Sequence, residues 1–440
     1  MKSFVIIGAG ASGIILAAQL LRRSPESTVR IFERSDRLGT GIAYATDNSS
    51  HLLNVRASNM SAFPDQPDHF LNWLQTGGDP WEPHSFVPRK VYRAYLEHLI
   101  EPYLSAGDSR LTVEKTGIVD VSLKAGRPAV VTETGETFET DAVILATGNE
   151  AAIAKSGSQI TEYWSSNGYF DVPADAPVAI FGTGLSMIDS VLSLLDKGHR
   201  APIYAISRRG LLPARHAPAQ AVPIAADDLP VSLGLPKLMQ RVRAMMAEAE
   251  TAGSGWRSVM DGLRPHTQHI WAGLPTSQRR GFLRHLRPWW DVHRHRMAPA
   301  VADRIESAVD NGQLKITAGH LVSVRDEGGG MEIRYRPRRS EKIGTLHVAA
   351  VIDCRGGNSR FSTTRNAALI GLMEHGLARP DALDLGLDVT RGLQLLNVRG
   401  EPSGPFFAIG PVTKGAFWEV TAVPDIRVQA ERLSAILLEG

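Results

Sequence analysis

Apolar positions fall into short β-branched runs that stop at glycine and are followed by longer apolar stretches of helical spacing. Phe4-Val5-Ile6-Ile7 gives way to Gly8-Ala9-Gly10-Ala11-Ser12-Gly13 and then to an Ala- and Leu-rich run over 14–21. This reads as strand, tight turn and helix. A second strand, Val29-Arg30-Ile31-Phe32, ends in Glu33. The same grammar returns at Val178-Ala179-Ile180-Phe181, with the turn Gly182-Thr183-Gly184-Leu185-Ser186-Met187 and a helix carrying Ile188, Val191, Leu192 and Leu195 on one side. Its second strand, Ile203-Tyr204-Ala205-Ile206, ends in Ser207-Arg208-Arg209.

Between these units, Pro88 opens a helix with Val91, Tyr95, Leu99 and Ile100 at helical spacing. Residues 111–140 read as a β-meander with a turn at Glu133-Thr134-Gly135-Glu136, leading to the buried strand Asp141-Ala142-Val143-Ile144-Leu145 and its end Ala146-Thr147-Gly148. Residues 210–310 leave the alternation and predict helices over 236–250, 279–286 and 299–309. Strands follow over 314–324, 331–337 and 348–353, the last ending in Cys354-Arg355-Gly356-Gly357. Phe406-Phe407-Ala408-Ile409-Gly410-Pro411 and a proline-started helix from Val423 close the chain.

Each glycine of the first turn has a physical task. Gly8 permits the bend, Gly10 removes a Cβ that would hold a pyrophosphate off the backbone, and Gly13 lets the helix approach the strand. The helix start offers free N–H groups and partial positive charge to phosphates. Glu33 lies 25 positions after Gly8, near the roughly 20 expected for an acid that binds ribose hydroxyls. The strand ending at Thr147 and Gly148 returns beneath the same ligand and favours FAD over NAD there. In the second turn Met187 replaces the third glycine, so its helix is expected slightly further from its strand. Ser207, Arg208 and Arg209 accept a 2′-phosphate where an acid would repel it, which favours NADPH over NADH.

The expected fold class is therefore α/β with two dinucleotide-binding, Rossmann-like domains, the FAD domain being discontinuous and the NADPH domain carrying a mainly helical insertion. Expected boundaries are 1–172 for the first part of the FAD domain, 173–345 for the NADPH domain with its insertion at about 210–310, and 346–440 for the second part of the FAD domain. Candidate cofactor-binding residues are Gly8, Gly10, Ser12, Gly13, Glu33, Arg34, Gly41, Thr147 and Gly148 in the first domain. Gly182, Gly184, Leu185, Ser186, Ser207, Arg208 and Arg209 serve the second, and Gly410, Asp425 and Ile426 close the first from the far end of the chain.

Length and composition narrow the class further. With 440 residues, 43% hydrophobic, the chain holds two or three domains with sizeable cores. A formal charge of +2 gives no electrostatic reason for nucleic acid or membrane partners. The single cysteine, Cys354, excludes an intramolecular disulfide and reads as a packed strand-end residue in a reducing, cytoplasmic setting. Lys2 before an apolar stretch also fits a signal peptide, but three glycines inside it and the strand that follows argue against that. No run of about 18 apolar residues is present to span a bilayer.

Two features leave their readings open. Arg89 in the first turn of a helix opposes the helix dipole, either because it pairs with an anionic cofactor or substrate or because it is a surface arginine. The patch from Arg284 to Arg296 contains Trp289, Trp290, Asp291, His285, His293 and His295. Its readings are a positively charged, aromatic-lined pocket or cofactor contact, a solvated loop with buried tryptophans, nucleic acid contact, or a metal site crowded by arginines. No metal is expected.

The stretches 39–44, 51–60, Phe86-Val87-Pro88-Arg89 with Tyr92 and Tyr95, 207–213 and 418–427 together resemble the FAD/NAD(P)-binding flavoproteins that include FAD-dependent urate hydroxylase and nitrosuccinate-forming amino-acid N-oxygenases. The architecture is also similar to flavin monooxygenases such as the ornithine and lysine N-hydroxylases, although Asn149 stands where those usually carry an aromatic residue. The resemblance implies FAD and NADPH as cofactors and O₂ with a small polar or anionic molecule, purine-like or an amino acid, as substrates. It implies oxygen transfer through a flavin C4a-hydroperoxide. Asn54, Asn59 and Arg89 are then the candidates nearest the flavin, as donors to its oxygens or to the peroxide. The other reading is a flavin-binding NADPH oxidase, reductase or sensor without oxygenase activity.

Overall fold

The computed structural model describes residues 2–78, 80–104, 108–150, 160–163, 171–356 and 360–439. The chain runs β1 (Ser3–Ile7), α1 (Ala11–Arg23), β2 (Thr28–Phe32), α2 (His69–Thr76), α3 (Arg89–Leu104), β3 (Leu111–Glu114), β4 (Ile118–Lys124), β5 (Arg127–Thr132), β6 (Thr137–Glu139), β7 (Ala142–Leu145) and β8 (Ile160–Glu162). It continues through β9 (Val178–Phe181), α4 (Leu185–Asp196), β10 (Ile203–Ser207), α5 (Leu235–Thr251), α6 (Gly255–Leu263), α7 (Thr267–Gly273), α8 (Thr276–Gly281) and α9 (Arg287–Arg294). It ends with α10 (Pro299–Asp310), β11 (Leu314–Asp326), β12 (Met331–Pro337), β13 (Gly344–Val348), β14 (Ala350–Asp353), α11 (Ala367–Glu374), β15 (Gln394–Leu396), β16 (Pro402–Ala408) and α12 (Val423–Glu439).

Among the described residues the strands form three sheets. The first has the order β15-β16-β7-β1-β2-β3, the second β13-β12-β11-β10-β9-β14-β8, and the third is the antiparallel β4-β5-β6. Each large sheet is built around a central strand with parallel neighbours on both sides. Phe4 of β1 faces Val29 and Ala142, and Val178 of β9 faces Ile203 and Ala350. β9 is apolar throughout and β1 is apolar after Ser3, because helices or further strands cover both faces.

Strand alternation divides the cores. Phe4 and Ile6 enter the layer made by α1, α3 and α12, whereas Val5 and Ile7 enter the layer made by the antiparallel sheet and α11. In the second sheet Val178 and Ile180 pack with α4 and α10, and Ala179 and Phe181 pack with the hairpin strands β11 to β13. Each fully buried Leu or Ile in these layers stabilises by about 1.5–3 kcal/mol.

Three expectations change. Leu111–Glu114 does not belong to the meander; it pairs in parallel with β2 at the edge of the first sheet. The meander starts at Ile118, and the break falls at Gly117, where a Cβ would crowd the Glu133 carboxylate. The segment expected over 348–353 is two strands, β13 and β14, and both lie in the second sheet, so the strand placed at the start of the returning FAD part pairs with β9 instead. Finally, α10 is the crossover between the parallel strands β10 and β11; the helical insertion therefore ends before Pro299. Helical amphipathicity alone cannot distinguish a crossover from an insertion helix, because both bury one stripe.

The insertion helices α5, α6, α7 and α9 form their own apolar cluster, which also takes in Leu383, Leu385 and Trp418 from the C-terminal part of the chain. The insertion is thereby seated on the returning segment of the first domain. Among the described residues no helix is long and apolar enough to cross a membrane.

Candidate active site

The first turn is shaped by close backbone approach. Gly8 adopts φ +109°, and a Cβ there would stand 2.5 Å from the Ala146 carbonyl oxygen. A Cβ on Gly13 would overlap the Gly8 carbonyl. Gly10 lies against Gly41, whose φ is +44°. The Glu33 carboxylate accepts the Ala9 N–H at 2.8 Å and the Ser35 N–H at 3.0 Å, so it lies at the turn where a ribose would meet it. Ser12 is buried beside Gly410, where a Cβ would run into its side chain. Thr147 Oγ1 is buried without a hydrogen-bond partner, and Gly148 follows with φ +67°. Arg34 is exposed. Free helix-start amides, an orphaned hydroxyl and a glycine cradle fit an adenine dinucleotide.

The second turn repeats the bend. Gly182 has φ +107°, and a Cβ would stand 2.8 Å from the Cys354 carbonyl oxygen. Gly184 caps α4 and meets nothing within 4 Å, which leaves Leu185 and Ser186 at an open helix start. Met187 is fully buried in the core with Val178, Ile180 and Ile203. Ser207 Oγ sits 2.9 Å from Thr183 Oγ1 and accepts the Gly210 N–H, so it is used inside the turn. Arg209 lies over the Trp289 ring at 5.7 Å and donates to the His285 carbonyl. Arg208 is exposed.

The C-terminal segment behaves differently from expectation. The amides of Asp425 and Ile426 both donate to the Ala422 carbonyl at 3.0 Å, because the chain turns tightly into α12, so neither is free for a ligand. The Ile426 side chain is buried in the first core. Asp425 instead faces the insertion, with Arg264 Nη2 3.5 Å from its Oδ2. Both of those atoms are buried without a hydrogen bond, as are Arg427 Nε, Gln268 Oε1 and Trp418 Nε1 nearby. Burial pushes the Asp425 carboxyl up, against the pull of Arg264 and Arg294.

Glu419 anchors the patch of α9. Trp290 Nε1 donates to Oε1 at 2.6 Å, Arg294 Nε pairs with Oε2 at 2.7 Å, and His295 Nε2 lies 3.4 Å from Oε1. Burial pushes this carboxyl up, but the His295 hydrogen bond and the Arg294 charge outweigh it and hold the group down to about 2. Glu419 also adopts φ +71°, a left-handed conformation that costs a non-glycine residue about 1–3 kcal/mol and persists where surrounding contacts fix it. The basic, aromatic patch is thus a docked element of the insertion.

The three candidates nearest the flavin separate. The Asn54 carbonyl accepts from His216 Nε2 at 3.0 Å across the domain seam, and Asn59 lies exposed in a 3-10 turn. Arg89 does have an anionic partner, and it is protein: Nη2 meets Asp189 at 2.7 Å, with side chains 15% and 7% exposed. The Asp189 charge outweighs burial and holds the guanidinium well above its usual range.

Residues 5–150 match the model of a family described as FAD-NAD(P)-binding. An uncharacterised protein of Mycobacterium tuberculosis is 31% identical over 142 residues, 30% of this chain and 25% of that protein. The uncharacterised Escherichia coli protein YdhS is 23% identical over 304 residues, 58% of this chain and 56% of that one. The chain thus spans between a quarter and just over half the length of these relatives. Among solved structures, the ornithine N-hydroxylase of Kutzneria, determined with reduced FAD, NADP⁺ and L-ornithine, superposes with a TM-score of 0.68 at 14% identity, covering 100% of this chain and 99% of that one. The L-lysine 6-monooxygenase of Pseudomonas syringae gives 0.68 at 15% identity with the same coverage. The fold is that of FAD/NAD(P)-binding flavoproteins.

Several residues of the candidate site escaped the sequence. Arg264, Glu419 and Asp189 carried no assigned role. The available signal was an acid early in a mostly buried helix for Asp189, and an acid beside the aromatic pair Phe417-Trp418 for Glu419.

Proposed function

We propose that the chain is an FAD-dependent, NADPH-using monooxygenase that acts on a small polar or anionic molecule at the seam between the insertion and the start of α12. The observation that carries this reading is the pair of glycine turns with opposite strand ends, Glu33 for a ribose and Arg208 for a 2′-phosphate, together with buried polar atoms that lack a hydrogen bond at Arg264, Asp425 and Arg427. Bound flavin supplies hydride acceptance from NADPH and activation of O₂.

The protein's part is binding and orientation. Gly8 and Gly13 let the turn and helix pack closely, Gly10 and Gly41 admit the pyrophosphate to the backbone, Glu33 holds the adenosine ribose, and Thr147 Oγ1 donates to the ligand. The amides of Leu185 and Ser186 receive the second pyrophosphate, and Arg208 the 2′-phosphate. Arg264, Arg294 and Arg427 outnumber Asp425 and Glu419 by one charge, so pairing with this cluster offsets the desolvation of an anionic substrate group. Asn54 and Asn59 remain the donors toward the flavin. The insertion, seated through Glu419 and Trp418, excludes water from this seam.

The test is consumption of NADPH and O₂ by flavin-loaded protein against a panel of purines and amino acids, with product masses measured. A substrate-stimulated product heavier by one oxygen is the expected result. NADPH consumption that yields only hydrogen peroxide favours the oxidase reading, and protein that binds no FAD removes both.

A further inference from the structure

Arg89 has a more defined setting than a flavin contact. It opens α3 in the first domain and reaches Asp189 in α4, the helix that carries the second turn. Asp189 Oδ2 also accepts the Tyr163 hydroxyl at 2.7 Å. From the same first-domain surface, His51 Nε2 donates to the Asp189 carbonyl at 2.9 Å and lies 2.9 Å from Ser193 Oγ. A carbonyl only accepts, so Nε2 carries the proton and Nδ1 accepts from Thr46 Oγ1 at 2.8 Å. Burial pushes the His51 ring down, which keeps it neutral. Two turns along, Asp196 accepts from Asn48 Nδ2 at 2.9 Å.

Asp189, Ser193 and Asp196 fall at i, i+4 and i+7, a single stripe of α4. Their partners Arg89, His51 and Asn48 form one unit, because the Arg89 N–H donates to the His51 carbonyl at 2.9 Å and Leu52 bridges Pro88. A buried ion pair adds little stability over an apolar contact, and its directional bonds instead admit one register. An apolar seam would let α4 slide; this stripe does not.

We propose that the Arg89–Asp189 pair, together with His51, is a positioning latch that fixes the second nucleotide turn at a set angle to the first. What the latch positions rests on the function proposed above; the latch itself does not. Asp189 lies one turn beyond the helix start that faces the second pyrophosphate, so a rotation at the pair moves that turn directly.

Spin labels at Asp36→Cys and Glu341→Cys, one exposed site in each domain, report the interdomain distance in the full chain, with Cys354 buried and unlabelled. The wild-type background gives one narrow distribution. Arg89→Met and Asp189→Asn each broaden or shift it, and Arg89→Lys keeps it near wild type. In the flavin-loaded protein the same two variants slow anaerobic flavin reduction at saturating NADPH by at least about tenfold, with FAD content and NADPH affinity within about twofold of wild type. An unchanged distance distribution in both variants overturns the latch, as does a rate loss that merely follows loss of FAD. Wild-type protein that NADPH does not reduce defeats the proposed function and leaves the distances to decide the latch.

Discussion

The two glycine turns share one bend and differ in what covers it. Gly8 and Gly182 have φ values of +109° and +107°, and their N–H groups donate to the ends of the neighbouring strands at 2.9 Å to Phe32 and 2.8 Å to Ile206. Beyond that the turns diverge. The first is roofed by Gly41 against Gly10 and closed by Gly410 against Ser12, while the second meets nothing at Gly184. In the proposed enzyme the closed turn suits a resident FAD and the open one a nucleotide that enters and leaves. The bend itself is a requirement of backbone packing; closure comes from segments distant in sequence.

The largest effect is expected where the closed turn is tightest. Gly13→Ala places a Cβ inside the Gly8 carbonyl, a clash of the kind that costs about 3 kcal/mol or more, and FAD content by absorbance should fall to about a tenth or less. The matching position on the open side is already filled by Met187, and FAD content there should tolerate substitution. A flavin-replete Gly13→Ala protein would break the contrast.

Acid unfolding comes next and separates the two sides by pH. Glu419, on the returning segment, is held down to about 2, so its stabilisation is complete above its unfolded pKa near 4.3 and is lost as pH falls toward 2. Glu419→Gln should abolish that acid limb, worth on the order of 3 kcal/mol. His216, after the second turn, is pushed down to about 4 by burial. Its neutral form is favoured in the fold, so that contribution is complete above about 6.5 and is lost between there and 4. His216→Gln should flatten this earlier fall in denaturant midpoints, and a fall left intact would assign it elsewhere.

Met187→Ala should cost about 2–3 kcal/mol through the cavity it opens beneath α4, with FAD content unchanged. The smallest effect is expected at the open surface. Arg208→Ala should lower the preference for NADPH over NADH by on the order of tenfold in kcat/KM, whereas Arg209→Ala, whose guanidinium is held over Trp289, should change it less. Equal effects would mean that the Trp289 contact gives way when nucleotide binds.

The sequence by itself determined both strand-turn-helix units, the parallel core strands and the glycine positions. These depend on neighbours a few residues apart: alternation, helical period and the left-handed bend that only glycine enters easily. Even the distant return of the chain to the first sheet was legible, because Phe406 to Ile409 is an apolar run ending in glycine. Tertiary structure decided the rest. Leu111–Glu114 pairs with β2 and β14 with β9, choices that composition does not encode because any buried strand can satisfy any edge. The tight turn before α12 uses the amides that helix propensity would have left free. Arg89 reads as a misplaced cation until Asp189, a hundred residues on, supplies its charge, and Glu419 reads as an ordinary acid until Trp290, Arg294 and His295 surround it. Charges act through space, and the fold alone sets which of them meet.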